Sequence, residues 1–449
     1  MIPHNKHIRP DSDLVRPVTM ATITSRISDL ASVIQNSTEA IRIHLEANDQ
    51  DLPSFDLSVG PDVSLPEPLV VAQQRVLEAC AELQTLMEGP RAHLTQITSP
   101  RVNIIMSLQA IYHYKIAAAF PVGQEISFED LSQRCSLDLS QLKSVLRMAT
   151  SNNIFVESRK GVLAHTAMSK LLADDPLVHE WTGLVCDEMM PSAGKAVEAM
   201  LRWPASEEPH ETGFALAHGD SLWNVLKKEP HRAQRFAAGM QFLQSHPAFD
   251  IEHLIRGLAW DANTAPTSLV DIGGSRGYIS MGLLRRYPQL KCHVQDVPEA
   301  LHGVQIPADL QGRLEFSAHD FFTEQIIKGA EVYFLRSILH DWSDKYAVEI
   351  IRSIIPALKT GARVIVNEVC LPEPNTVPAY HEQLLRGYHL AMLHQFNSQE
   401  RDAAEWEALF RKADGRFKLG RIVSLPGSVL SIMEFVWLGN VLPADGSAA

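Results

Sequence analysis

From Ser268 onward the chain alternates short apolar runs of strand length with longer amphipathic runs of helix length, and this alternation narrows the possible folds most. Residues 268–273 (SLVDIG) read as a strand, 278–288 as a helix, and 291–297 (KCHVQDV) as a second strand. A third strand lies in RLEFSAHDFF and a fourth in AEVYFLRS, followed by the helix YAVEIIRSIIPAL. GARVIVNEV is a fifth strand, AAEWEALFRKA a helix, and residues 417–437 supply a closing strand pair. Strands that alternate with helices build a mainly parallel sheet, here of seven strands, covered on both faces. Such α/β sheets hold their ligands beyond the carboxyl ends of the strands, where the strand order reverses.

The first half is helical and differently organised. Apolar residues at helical spacing (Ile27, Leu30, Ile34, Ile41, Leu45) mark a helix from Ile23 to about Asn48. Residues 52–68, with four prolines, read as an extended linker. A second helix runs from about Leu69 to Met87 and stops at Gly89-Pro90. Between residues 100 and 175 a helix, a helix–turn–helix and a strand-like segment outline a winged helix. Four regions result: an N-terminal helical arm (1–90), a winged-helix domain (91–175), connecting helices (176–260) and the α/β domain (261–449).

Charge limits the partners. With 40 Lys plus Arg against 53 Asp plus Glu, the net charge is −13. An acidic surface repels phosphate backbones and anionic membranes. The second helix of the winged-helix unit offers only Lys143 and Arg147 as cations, so this module is read as a dimerisation element and nucleic acid is not expected. The N-terminus has no apolar core of a signal peptide, and no run approaches the roughly 18 apolar residues of a spanning helix. Five cysteines without a CxxC pair indicate neither a zinc site nor a disulfide framework, and a cytoplasmic location is expected. None of the 19 histidines sits in a metal-ligand spacing, so no metal is expected.

The loop Asp271-Ile-Gly273-Gly274-Ser275-Arg276-Gly277 follows the first strand and opens a helix. A dinucleotide fingerprint would require glycine at 275 and 278, where Ser275 and Tyr278 stand. The loop instead resembles the acidic-x-Gly-x-Gly-x-Gly loop of S-adenosylmethionine methyltransferases, with Ser275 in place of the middle glycine. Asp296 ends the second strand, where a carboxylate can accept both ribose hydroxyls. Asp320 ends the third strand with Phe321 beside it, placed to accept from an adenine amino group. Three carboxylates at three successive strand ends would face one crevice.

Beyond the fourth strand come His340, Asp341 and Trp342; Glu368 ends the fifth, and Glu400 precedes a later helix. The ordered strings LVDIGGSRG, LRSILHDW and VIVNEV resemble the plant caffeic-acid-type and fungal polyketide O-methyltransferases over roughly residues 90–440. The resemblance implies S-adenosylmethionine as cofactor, a homodimer and a small hydroxylated aromatic or polyketide acceptor. It makes His340 the general base, with Glu368 and Glu400 as the carboxylates that hold its imidazole. Asp271, Gly273, Gly274, Asp296, Val297, Asp320 and Phe321 match cofactor-contacting positions, and Arg336 stands where the family often has lysine. Met189, Met240, His246 and Asp341 are candidate acceptor contacts, although methionines in connecting helices equally fill cores. A phenol ionises near pH 10, so a base at the acceptor oxygen is worth about 10²–10⁴ in rate. A cofactor-retaining pericyclase or dehydratase of the same fold is the competing reading. A winged-helix regulator with a non-catalytic α/β domain ranks below it.

Overall fold

A computed structural model describes residues 20–63, 65–261 and 263–439. Their contacts divide them into two compact units, one of residues 20–52 and 65–93 and one of residues 53–63, 94–261 and 263–439. In the first, helix α1 (Met20–Ala47) and most of α2 (Glu67–Thr98) carry exposed ion pairs such as Arg26–Glu82. Gly89, at φ 71°, breaks α2 where the Gly-Pro signal lies, and Pro90 is tolerated because it opens the next helical stretch.

The second unit includes part of the Pro-rich linker. The carbonyls of Phe55 and Leu57 accept from the Ala167 amide and the Lys170 ammonium, so this part of the linker groups with the second unit, whereas the sequence reading puts it with the arm. Helix α3 (Pro100–His113), strand β1 (Glu125–Ser127), helices α4 (Phe128–Cys135) and α5 (Leu139–Thr150), and strands β2 (Phe155–Arg159) and β3 (Val162–His165) form the winged helix. Its sheet runs β1-β3-β2. Asp138 caps α5 by accepting from the Ser140 and Gln141 amides. Lys143 and Arg147 are engaged by Glu129 and Glu157. Helices α6 (Ala167–Asp174), α7 (Pro176–Leu184), α8 (Met190–Arg202), α9 (Gly213–His218), α10 (Leu222–Lys228), α11 (Pro230–Ser245) and α12 (Ile251–Leu258) follow.

The α/β part then begins with β4 (Ser268–Ile272), α13 (Tyr278–Arg286), β5 (Lys291–Asp296), α14 (Pro298–Leu301) and β6 (Leu314–Ala318). It continues with β7 (Val332–Arg336), α15 (Asp344–Ile354), β8 (Arg363–Glu368) and β9 (Cys370–Leu371). Helix α16 (Ala379–Phe396), β10 (Arg401–Asp402), α17 (Ala403–Ala413), β11 (Phe417–Val423) and β12 (Ser431–Trp437) complete it. Among the described residues the main sheet has seven strands in the order β11-β12-β8-β7-β4-β5-β6. The five strands from β8 to the β6 edge are parallel, and β12 and β11 close the other edge antiparallel. The order reverses between β4 and β7, which puts the switch point beside the glycine loop. Tyr333, Leu335, Val364 and Val366 face one core with α15 and α17, and Phe334, Ile365 and Leu269 face the other with α12 and α13. Apolar on both faces, these strands read as continuous hydrophobic runs.

Candidate active site

The loop after β4 is shaped by contacts that leave no room for side chains. Gly273 takes φ 72°, and a Cβ there would run into Ile338. A Cβ on Gly274 would stand 2.5 Å from the Asp271 carboxyl carbon. Asp271 itself is buried and accepts from Ser280 Oγ at 2.6 Å. Burial pushes its carboxyl up to about 6. It therefore braces the loop from beneath, with Gly274 packed against its carboxyl. Ser275 adopts the left-handed region at φ 50°, the conformation its missing glycine would favour.

Asp296, at the end of β5, accepts from the Ser275 amide at 2.8 Å and the Val297 amide at 2.7 Å. Each carboxylate oxygen keeps a further lone pair for a ligand hydroxyl. Burial holds this carboxyl above its ordinary range. Asp320 is exposed beyond β6 and accepts from the Phe322 amide at 3.0 Å. Phe321 packs beside Phe322, their centroids 5.1 Å apart. A glycine loop pressed on its own strand and a strand-end carboxylate with spare lone pairs fit an adenosyl cofactor. Arg336 is otherwise engaged: Nη1 donates to Asn367 at 2.6 Å and Nη2 to the Phe249 carbonyl at 2.7 Å. Burial lowers its affinity for its proton, to about 10.

His340 lies in a one-turn 3₁₀ helix (Leu339–Asp341) beyond β7. Its Nδ1 meets Glu400 Oε1 at 2.8 Å, and its Nε2 lies 3.6 Å from Asp341 Oδ1. Burial works against the imidazolium, but Glu400, Asp341 and Glu368 outweigh it and push the group up to about 10. Asp341 rises to about 7 through burial, which His340 opposes. Glu368 differs from the part expected of it. Its oxygens accept the backbone amides of Ile338, Leu339 and His340 at 2.9, 2.7 and 2.9 Å, so it holds the turn and leaves the ring to Glu400. Glu400 is buried, and its second oxygen has no partner among the described residues.

The candidate acceptor contacts divide. Met189 packs with the Phe214, Leu222 and Phe396 cluster, a core position. His246 is exposed, and its Nδ1 accepts from the Ala248 amide to cap a short turn. Met240 is half-buried on α11. Sequence reasoning passed over two features. Trp342 stacks on Trp223, centroids 6.3 Å apart and planes 17° from parallel, and Trp223 stacks in turn on Phe396. Arg401, next to Glu400 in the chain, is wholly buried against the carbonyl side of the His340 turn. Among the described residues no group of three or more His, Cys, Asp or Glu is arranged to hold a metal, and no helix is long and apolar enough to cross a membrane.

Comparisons with known proteins identify the family and the fold. The O-methyltransferase domain family matches residues 200–416. The chain is 51% identical over 414 residues to the O-methyltransferase kk1A of Curvularia clavata, covering 92% of this chain and 98% of that protein. It is 33% identical over 423 residues to the chlorophenol O-methyltransferase of Trichoderma longibrachiatum, with 92% and 90% covered. Among solved structures, that of OxaC aligns with a TM-score of 0.72 at 18% identity over 92% of this chain and 99% of that one. The complex of LepI with SAM aligns at 0.67 and 21% identity over 90% and 99%. At such identities the structures show a shared fold.

Proposed function

The chain belongs to the S-adenosylmethionine-dependent O-methyltransferases, and from that premise we propose that it methylates a hydroxyl of a small aromatic or polyketide-type acceptor with His340 as general base. The observation that carries this reading is the 2.8 Å contact between His340 Nδ1 and Glu400. A carboxylate on Nδ1 fixes the tautomer, so Nε2 is the ring edge that accepts a proton. Glu368 holds the turn that presents it. When bound, S-adenosylmethionine supplies an activated methyl group, which leaves the protein to align the acceptor oxygen and take its proton. Asp296, with the Gly273–Gly274 loop, would hold the adenosyl ribose, and Asp320 with Phe321 the base. Asp341, beside Nε2, would face the acceptor. The half-buried Trp342 ring, two residues from His340, favours a flat aromatic partner.

A second copy of the chain is the protein partner we propose, and five free thiols suit a reducing cytoplasm. The test supplies S-adenosylmethionine carrying a trideuteromethyl group together with a panel of phenolic polyketides, read by mass spectrometry. A product heavier by one labelled methyl on oxygen is expected. Acceptors that isomerise or dehydrate without gaining label would overturn the reading in favour of a cofactor-retaining pericyclase or dehydratase.

A further inference from the structure

We infer that Arg401 is a positioning residue that fixes His340 by holding the carbonyl edge of its turn, a role that rests on the general-base reading above. Leu339 is buried and Ile338, His340, Asp341 and Trp342 are half-buried, so backbone polar groups of this turn that water does not reach need a partner. Glu368 takes the amides of Ile338, Leu339 and His340. The opposite edge is held from residues 398–401. Arg401 Nη1 donates to the Leu339 carbonyl at 3.1 Å and Nη2 to the Trp342 carbonyl at 2.9 Å. Ser398 Oγ donates to the His340 carbonyl between them. Nε and Nη2 of Arg401 also reach Asp344 Oδ1, at 3.0 and 2.8 Å, and the guanidinium lies 5.2 Å from the Trp406 ring centroid.

One tetrapeptide thus brings three side chains to one turn: a hydroxyl to the His340 carbonyl, a carboxylate to its ring, and a guanidinium to the carbonyls on either side. Glu400 and Arg401 are adjacent, so the group that orients the imidazole and the group that sets its backbone move together. The turn lies between a buried anion on its amide side and a buried cation on its carbonyl side. Guanidinium is suited to this because it stays charged and presents its donors in a rigid planar fork. Lysine would keep the charge but could not span two carbonyls and a carboxylate in one plane.

A displacement of about 1 Å in a catalytic group costs on the order of a hundredfold in rate. Arg401→Lys is therefore expected to lower kcat by about that factor, with acceptor KM and calorimetric S-adenosylmethionine affinity within about twofold of wild type. Introduced into His340→Ala, the same substitution is expected to slow the enzyme no further, because a residue that acts through His340 has nothing left to position. Asp344→Asn, at a half-exposed site, slackens the guanidinium without emptying the core and is expected to slow kcat in the same direction. The inference is overturned if Arg401→Lys and Asp344→Asn both turn over like wild type, or if Arg401→Lys slows His340→Ala as much as it slows the intact enzyme. A His340→Ala enzyme as fast as wild type would instead remove the base reading itself.

Discussion

His340 owes its chemistry to the different surroundings of its two nitrogens. Nδ1 meets the buried Glu400 carboxylate, and Nε2 faces Asp341 and the half-open side of the turn. With the imidazole's hold on its proton pushed up to about 10, the free enzyme carries a protonated base at neutral pH, so kcat/KM is expected to climb as pH rises through the alkaline range. Glu400→Gln removes an anion that raises this value. The rising limb should then move toward lower pH, nearer the ordinary 6.5 of the side chain, while the maximal rate falls because the tautomer is less well fixed. A profile that stays in place would show that Glu400 does not set the charge on His340. His340→Ala is expected to lower kcat by about 10²–10⁴ without weakening cofactor binding, measured by stopped assay and calorimetry. The residue types at strand ends were legible in the sequence, but the partner of each oxygen was not. Glu368 and Glu400 look alike as isolated acids, and only the fold decides that one meets three amides and the other a ring. Arg401 was illegible for the same reason, since its partners lie 59 and 62 residues away in the chain.

At the scale of elements, the glycine loop and the His340 turn are joined through Ile338. A methyl group on Gly273 would strike Ile338, whose amide Glu368 holds. Gly273→Ala therefore combines left-handed backbone strain of about 1–2 kcal/mol with displacement of the turn. It is expected to lower Tm and weaken cofactor binding together. Ser275→Gly, by contrast, relieves a left-handed serine but loosens the unfolded chain, so stability should stay within about 1 kcal/mol of wild type. Equal losses in the two variants would refute this account of the loop. The central strands could be read in advance because runs such as residues 332–335 and 364–366 are apolar on both faces. Helix α16 escaped notice. Leu384 and Leu390 are exposed while Leu385, Met392 and Phe396 are buried, so its apolar residues form no single stripe and Gly387 interrupts its middle. It nevertheless brings Phe396 beneath Trp223.

For the whole molecule, the paired cations of the winged helix and the apolar face of its first helix point the same way. Val102 and Met106, one turn apart on α3, are 59% and 50% exposed. Apolar side chains so placed suit contact with a second copy. Sedimentation of the purified chain is expected to show a dimer, and Val102→Glu combined with Met106→Glu a monomer; a wild-type monomer would remove the proposed partner. The central claim is that Asp296 on β5 and His340 beyond β7 serve one crevice across the switch point. A crystal structure with S-adenosylhomocysteine and a phenolic acceptor tests it most directly. The acceptor oxygen is expected within about 2.6–3.2 Å of His340 Nε2, with the cofactor ribose on Asp296 and its sulfur in line with that oxygen. An acceptor oxygen bound away from His340, or a cofactor whose ribose does not touch Asp296, would contradict the account.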